Sequence, residues 1–337
     1  MRRWRPTRRE LLGGALAGAA LGALGSCARR ERDSRTRVFV AKAASYEVDL
    51  APILASALAE LGIDRAEVTG KRILLKPNLV ETALGRQHIN THPQVVRGTA
   101  EALRALGAAE VIVGEGPGHR RDTLLVLEES GLAEVLLAEK LRFVDLNRDD
   151  GFAVANAGGR SGLLRLTLPA TLRSIDWIVS LAKMKTHHWA GVTLAMKNLF
   201  GLMPGNFYGW PKNVLHYVGL EESILDINAT VKPRIAIVDG IVGMEGDGPI
   251  LGSAKTVGAL VVGTNLPATD ATAARVMGLD PSRVHYLAAA DNWLGPIGEP
   301  AIHQVGETIS SVASPFRLVE KIPAQKALLD RESGAGY

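Results

Sequence analysis

The stretch "SIDWIVSLAKMKTHHWAGVTLAMKNLFG", residues Ser174–Gly201, joins a long apolar segment to a cluster of basic side chains. The near-continuous apolar run "DWIVSLA" is typical of a strand that is buried on both faces, as in a parallel sheet. The run continues into "KMKTHH", where the two-residue period of a strand places Lys183, Lys185 and His187 on one face. Because His188 would point to the opposite face, we expect only His187 to face a crevice at the end of this strand.

Similar short apolar runs recur along the chain. They are "RVFVA" from Arg37, "RILLK" from Arg72, "EVIVG" from Glu110, "RIAIVDG" from Arg234 and "GALVVG" from Gly258. Amphipathic segments lie between them, such as "PQVVRGTAEALRALG" from Pro93 and "DATAARVMG" from Asp270, where Asp270 is expected to cap the helix. This alternation predicts an α/β fold with a largely parallel sheet flanked by helices.

Domain boundaries follow from the same pattern. We expect an α/β domain over residues 37–325 and a C-terminal tail over residues 326–337. The glycine-rich segment "NAGGRSGLL" interrupts the domain, and residues 155–162 are predicted to be either a seam between two closely packed lobes or a hairpin turn. The sequence is compatible with both.

The N-terminus has the pattern of an export signal, because an arginine-rich start precedes a short uncharged run. "TRRELL", with Arg8 and Arg9, resembles the twin-arginine signal, and "LGSC" resembles a lipobox in which Cys27 is acylated. Residues 1–27 are therefore predicted to be a signal peptide read by the twin-arginine translocase, and residues 28–36 a polar tether. The mature chain would be exported to the cell envelope or periplasm and held to the membrane by a lipid anchor.

Charge and cysteine content exclude several classes of partner. The chain carries 39 basic and 35 acidic residues, and removing residues 1–26, with five arginines and one glutamate, leaves 34 of each. A nucleic-acid-binding surface is therefore not expected. The single cysteine excludes a disulfide or an intrinsic iron–sulfur cluster within one chain, so a metal would need His, Asp, Glu or backbone ligands.

Polar residues follow the predicted strands, at the point where ligands bind in open parallel sheets. They are Lys76, Asn78, Glu115, Lys183, Lys185, His187, Asp239, Glu245 and Asp247. We expect the loops that carry them to meet in one crevice. The alternative for each lysine is that its ammonium group only extends from a strand end into solvent.

The segment "GVTLAMKNLFG" is predicted to be a short helix that completes this crevice. Thr193 and Lys197 are four residues apart and would share one helix face, next to Asn198. Gly191 near the helix start would leave backbone N–H groups open to an anion. Together with the lysines, this helix predicts a site for a carboxylate or phosphate.

The pattern supports two hypotheses of different kinds. In the first, the chain is an enzyme whose lysines neutralise an anionic small molecule or cofactor, while His187 shuttles a proton.

The predicted catalytic residues are His187, Lys185, Lys197, Asp239 and Glu245. The predicted anion-binding residues are Lys76, Asn78, Glu115, Lys183, Thr193 and Asn198. A metal would be held by His187, Glu115 and Asp247. In the second hypothesis, the chain is a lipoprotein that binds the same kind of anion without chemistry.

Five stretches resemble a known family. They are "ILLKPNLV" from Ile73, "THPQVVRGTAEALRALGAAEVIVGEGPG" from Thr91, "KMKTHHWAGVTLAMKNLFGLMPG" from Lys183, "VDGIVGMEGDGPILG" from Val238 and "NLPATDATAARVMGLDP" from Asn265. They occur in the same order in the prokaryotic family catalogued as domain of unknown function 362. The resemblance implies an α/β fold without an assigned reaction. Many members carry ferredoxin-like cysteine clusters, which this chain lacks.

One loop is also similar to lactate racemase-like proteins. There, a histidine, a glycine, a lysine and a second glycine help to hold a nickel-bearing pyridinium nucleotide. His187 or His188, Gly191, Lys197 and Gly201 have a comparable layout. This similarity implies a further alternative, a metal-cofactor-dependent racemase, isomerase or redox enzyme.

Overall fold

A nine-stranded mixed sheet forms the centre of the fold in residues 35–118 and 121–329, the part of the chain that the computed structural model describes. Its strands are β1 (Thr36–Lys42), β2 (Arg72–Pro77), β3 (Glu110–Glu115), β4 (Arg142–Asp145), β7 (Trp177–His187), β8 (Gly191–Thr193), β9 (Ile235–Glu245), β10 (Ser253–Gly263) and β11 (Ile302–Gly306). A separate hairpin consists of β5 (Gly151–Ala155) and β6 (Arg165–Pro169). The strands predicted from apolar runs are all present.

The strand order is β11-β1-β10-β9-β7-β2-β3-β4, and β8 pairs with β7. Neighbours from β9 to β4 are parallel, whereas β1 and β9 pair antiparallel with β10. The parallel strands place their carboxyl ends at one edge of the sheet. The predicted α/β fold with a largely parallel sheet is therefore confirmed.

Apolar side chains fill both faces of the sheet, which explains why the strands lack a polar face in the sequence. In β2, Ile73 and Leu75 lie in one core cluster and Leu74 lies in the other. Successive side chains of a strand point to opposite faces, so the two clusters are the two sides of the sheet. Both sides are covered by helices.

Helices lie between the strands, and two of them coincide with the amphipathic segments predicted from Pro93 and around Asp270. The helices are α1 (Leu50–Glu60), α2 (Arg65–Val68), α3 (Pro93–Ala105), α4 (Thr123–Glu129), α5 (Leu132–Ala138), α6 (Ala195–Asn198), α7 (Gly205–Tyr208), α8 (Asn213–Tyr217), α9 (Leu220–Val231), α10 (Leu266–Val276), α11 (His285–Ala290), α12 (Ile309–Val312) and α13 (Pro323–Leu329). Leu54 of α1 and Leu103 of α3 pack on one side of the sheet, and Ile224 of α9 and Ala271 of α10 pack on the other. No helix in the described part of the chain is long and apolar enough to cross a membrane.

Two helix predictions are wrong. The segment predicted as one helix from Gly191 divides into strand β8, helix α6 and a 3₁₀ turn over Leu199–Leu202, because Gly191 to Thr193 pair with the end of β7. Helix α10 begins at Leu266 rather than at Asp270. The side chain of Asn265 caps it by accepting a hydrogen bond from Ala268 N at 3.0 Å, so Asp270 lies in the second turn.

Two predicted boundaries take definite form. Residues 156–164 connect β5 and β6, so the structure shows the hairpin alternative for the glycine-rich segment. Residues 326–329, placed in a tail from the sequence, continue α13, where Gln325 and Leu328 are buried. The predicted signal peptide, with Arg8, Arg9 and Cys27, and most of the tether lie outside the described residues.

Candidate functional site

The carboxyl ends of β2, β3 and β7 enclose a cavity with a volume of about 120 Å³. Sequence-predicted residues that line it are Lys76, Asn78, Glu115, Lys185, His187, Thr193, Lys197 and Asn198. The cavity is close in size to one of about 150 Å³ that holds benzene in another protein. Its dimensions therefore suit a small organic molecule.

Lys76 and Glu115 form a buried ion pair at the base of the cavity. Lys76 Nζ also donates to Pro77 O at 2.8 Å and to Asn198 Oδ1 at 3.1 Å, which uses its three hydrogens. The Glu115 carboxylate accepts from the backbone N–H of Leu79 at 3.1 Å and of Gly116 at 2.8 Å. Both charged groups therefore have hydrogen-bond partners within the protein. The pair links β2 to β3, and the Glu115 carboxylate is not free to act as a base.

Gly201 makes room for this ion pair. A Cβ atom at this position would overlap Glu115 Oε1 and would lie 2.7 Å from Lys76 Nζ. The 3₁₀ turn can therefore approach the strand ends this closely only with glycine.

Three further lysines surround the cavity without a carboxylate partner. Lys185 Nζ donates to Ile89 O at 2.9 Å and to Pro249 O at 3.3 Å, and Lys212 donates to Asn147 Oδ1. Within residues 35–118 and 121–329, Lys197 makes neither a hydrogen bond nor an ion pair. Its Nζ lies 4.0 Å from the ring centroid of Phe200. Among the described residues, the one carboxylate that lines the cavity is that of Glu115, which is already paired with Lys76.

Burial shifts the pKa values of these lysines downward. Burial, with a smaller contribution from the positive charge of Lys76, lowers the pKa of Lys197 to about 7. Burial likewise lowers the pKa of Lys212 to about 8. The pKa of Lys185 lies well below its usual range because of burial and the charges of Lys183 and Lys197. An anion in the cavity would favour the protonated form of each lysine and so would raise these pKa values.

Two buried polar atoms in the cavity lining have no hydrogen-bond partner among the described residues. They are Thr193 Oγ1 and Asn78 Oδ1, on side chains that are 3% and 7% exposed. An unsatisfied buried polar atom costs about 1–3 kcal/mol. Since Thr193 can donate and Asn78 Oδ1 can accept, the two positions suit a ligand that carries both kinds of group.

His187 is held in one neutral form. Its Nδ1 accepts hydrogen bonds from the backbone N–H groups of Trp189 at 3.0 Å and Ala190 at 3.2 Å, so the ring hydrogen is on Nε2. Burial, followed by the charge of Lys197, keeps the pKa of His187 well below its usual range. His187 is therefore a hydrogen-bond donor rather than the proton shuttle that the sequence predicted.

His188 presents the opposite tautomer. Its Nδ1 lies 2.9 Å from Gly248 O, a carbonyl that can only accept, so in the neutral ring Nε2 carries the lone pair. Both histidines line the cavity, and the prediction that only His187 does so is wrong. The alternation of a strand fails here because β7 ends at His187 and the backbone turns.

Lys212 and His216 also line the cavity, although neither was predicted as a site residue. They lie at and next to α8, far in sequence from any strand end. His216 Nδ1 lies 3.1 Å from Lys212 O. No signal in the sequence indicated Lys212, which precedes α8 in a left-handed backbone conformation with a φ of 73°.

The predicted anion site at a helix N-terminus is wrong. The backbone N–H groups of Ala195 and Met196, at the start of α6, donate to the Asp270 carboxylate at 2.7 and 2.9 Å. Burial raises the pKa of Asp270 to about 7. The start of α6 is thus already capped by a carboxylate from α10, and Gly191 lies in β8 instead.

Lys183 and Asp239 lie outside the cavity, in a second buried cluster. Lys183 Nζ is 2.6 Å from Asp239 Oδ2 and 3.0 Å from the Tyr46 hydroxyl, which donates to Asp239 Oδ1 at 2.9 Å. The His92 ring stacks on Tyr46 at 3.6 Å. The predicted single crevice is therefore wrong, because Lys183 pairs with Asp239 outside the cavity while Lys185 lines it. The pairing of β7 with β9 also shifts between these two lysines.

Glu245 and Asp247 are not part of the cavity either. The Glu245 carboxylate accepts from Arg317 N at 3.0 Å, and Asp247 is exposed. In the described residues, no group of three or more His, Cys, Asp or Glu side chains could hold a metal ion. The metal set of His187, Glu115 and Asp247 is therefore wrong.

The two histidines of the lactate racemase-like layout differ in what they offer a metal ion. His187 carries its hydrogen on Nε2, the nitrogen that a metal would need, whereas Nε2 of His188 carries a lone pair. Of the two, His188 is therefore the one with a nitrogen available to a metal.

Comparisons with known proteins show one family and one relative that this chain is similar to. The family described as domain of unknown function (DUF362) matches residues 73–275. A thylakoid-associated protein of Synechocystis sp. is 29% identical over 229 residues, covering 66% of this chain and 68% of that protein.

Two solved structures are similar at lower identity. The lactate racemase apoprotein from Thermoanaerobacterium thermosaccharolyticum has 15% identity and a TM-score of 0.41, covering 66% of this chain and 55% of that one. A Thermotoga maritima protein has 13% identity and a TM-score of 0.35, with 60% and 52% covered. The chain thus spans about half the length of these two structures. The family match extends over more than half of the chain, and the protein belongs to the family described as domain of unknown function (DUF362).

Proposed function

We propose that the cavity binds a small organic anion and that the protein is an enzyme acting on it. The observation that carries this proposal is the excess of lysines. Lys185, Lys197 and Lys212 line a cavity in which the one carboxylate from the described part of the chain, that of Glu115, is already paired with Lys76. Burying cationic groups without partners is costly, and a bound anion offsets that cost.

A carboxylate is the anion that best suits the cavity. The volume admits a molecule of a few non-hydrogen atoms. Thr193 Oγ1 and Asn78 Oδ1 lack partners among the described residues and would hydrogen-bond a second polar group of the ligand. A small acid with a hydroxyl or carbonyl group beside its carboxylate matches both the volume of the cavity and these two unpartnered atoms.

Two groups in the cavity favour catalysis over simple binding. With a pKa of about 7, the Lys197 amine changes protonation state near neutral pH. His188 presents an Nε2 lone pair that can accept a proton. Groups poised in this way are typical of acid–base sites.

Non-catalytic binding of the same anion is the second candidate function. It is favoured by the state of Glu115, whose two oxygens accept from one ammonium and two backbone N–H groups and so are not available as a base.

Small carboxylates should raise the melting temperature, and the matching neutral amides should not. We expect a rise of about 5 °C for pyruvate or lactate at 100 times the dissociation constant. The lysines must be protonated to attract the anion, so the rise should be larger at pH 7 than at pH 9. Differential scanning fluorimetry measures both effects.

The matched controls are two lysine-to-methionine variants. Lys185→Met removes a cavity lysine and should lose the pyruvate-induced shift, whereas Lys42→Met changes an exposed lysine outside the cavity and should retain it. Equal shifts for acid and amide, or full retention in Lys185→Met, would contradict the proposal.

We further propose that the protein is exported by the twin-arginine translocase and anchored to the membrane through Cys27. The N-terminal motifs support this, and the thylakoid-associated relative is in keeping with it. Labelling cells with a radioactive fatty acid should mark the wild type, while Cys27→Ser should be unlabelled. A labelled Cys27→Ser variant, or export that is unchanged after Arg8→Lys and Arg9→Lys, would refute this localisation.

A further inference from the structure

Lys197 differs from the other cavity lysines in its surroundings. Its side chain is half-buried, its Nζ lies 4.0 Å from the Phe200 ring centroid, and it has no hydrogen-bond acceptor among residues 35–118 and 121–329. Lys76, by contrast, donates to three oxygens, and Lys185 donates to two. The nitrogen of Lys197 is therefore available to a ligand, while its neighbours are held by the protein.

The environment of Lys197 favours a neutral amine. It lies in the cavity against an aromatic ring and near the positive charge of Lys76, and burial lowers its pKa to about 7. Lysines that are desolvated or placed beside another cation are the ones that attack carbonyl carbon atoms in enzymes. At pH 7.5, most Lys197 side chains would carry the lone pair that such an attack requires.

We propose that Lys197 forms a Schiff base with the carbonyl group of a small oxo acid. This inference rests on the anion-binding function proposed above and names its substrate class. The carboxylate of the acid meets Lys185 and Lys212 in the same cavity, which leaves the adjacent carbonyl carbon for Lys197. Thr193 Oγ1 donates to the carbonyl oxygen, and Asn78 Oδ1 accepts from the hydroxyl group that this oxygen becomes.

The step balances without an oxidant or a reductant. The Lys197 nitrogen bonds to the carbonyl carbon, and one amine hydrogen moves to the carbonyl oxygen to give a carbinolamine. The hydroxyl then leaves as water with a proton from the Lys212 ammonium, whose pKa is about 8. The C=N bond forms as the C–O bond breaks, and the nitrogen keeps its remaining hydrogen as a protonated Schiff base.

Borohydride trapping tests the inference directly. Full-length protein is incubated with pyruvate or glyoxylate at pH 7.5, treated with sodium borohydride, and analysed by intact-mass and peptide mass spectrometry. The reductant adds hydride to C=N and makes the adduct permanent. We expect one reduced oxo acid per chain, located on Lys197, and no adduct with lactate, which has the carboxylate but no carbonyl.

The controls separate this inference from the proposed function. Lys197→Arg, verified as folded by circular dichroism, should give at least a tenfold loss of adduct, and Lys42→Met should trap as the wild type does. If pyruvate and lactate both raise the melting temperature but no adduct forms, the Schiff base is overturned and anion binding stands. If neither acid binds, both proposals fail. Adducts spread over surface lysines also overturn the inference.

Discussion

Lys183→Met should lower the free energy of unfolding by about 3–5 kcal/mol, although Lys183 lies outside the cavity. Methionine can replace the apolar stem of the lysine, so the packing changes little. The loss arises because Asp239 is completely buried and loses its counter-ion, with only neutral donors left from Tyr46, His92 and Ile241. Urea denaturation measures the change, and the melting temperature should fall by about 5–10 °C.

A second substitution tests the cause of this loss. Lys183→Met combined with Asp239→Asn removes both charges and should recover part of the lost stability, because the carboxamide no longer needs a counter-ion. Lys42→Met, at an exposed position, should change stability by less than about 0.5 kcal/mol. If Lys183→Met is as stable as the wild type, the buried ion pair with Asp239 is not a stabilising contact.

Lys197→Met should have the opposite effect and raise the free energy of unfolding by about 2–4 kcal/mol at pH 7. The folded protein holds Lys197 at a pKa of about 7, whereas in the unfolded chain the usual lysine value is about 10.4. The wild type therefore loses stability as the pH falls from 10.4 to about 7, since the unfolded state binds the proton more tightly. Methionine removes this penalty.

The gain in the free energy of unfolding should depend on pH, and the variant should also lose ligand binding. It should be largest near pH 7 and should shrink toward pH 10, in a buffer without small carboxylates, which would stabilise the wild type. The same variant should lose the pyruvate-induced shift and the borohydride adduct. A variant that is less stable than the wild type at pH 7 would show that Lys197 has a structural role instead.

The fold could be predicted because it depends on local patterns. Apolar runs such as "RILLK" and "DWIVSLA" predict strands that are buried on both faces. Ile73 and Leu75 lie in one core cluster and Leu74 lies in the other, so every apolar side chain of such a run is in contact with a core. The clustering of Lys76, Glu115 and Lys185 at one sheet edge follows from the parallel order of β2, β3 and β7.

The roles within the site could not be predicted, because they depend on contacts between distant residues. The ion pair of Lys183 with Asp239 depends on β9, more than fifty residues later in the chain, and so does the shift in pairing between Lys183 and Lys185. Asp270 caps α6 from within α10, a contact that helix-start rules cannot show. The tautomers of His187 and His188 depend on which backbone groups each Nδ1 meets.

Proton uptake on ligand binding tests the central claim, that under-protonated lysines form the site of a small anion. Isothermal titration calorimetry with pyruvate at pH 8, in two buffers that differ in ionisation enthalpy, gives the number of protons bound with the ligand. Since the pKa of Lys197 is about 7 and that of Lys212 is about 8, we expect an uptake of about one proton or more. Binding that takes up no proton, or releases one, would contradict the account.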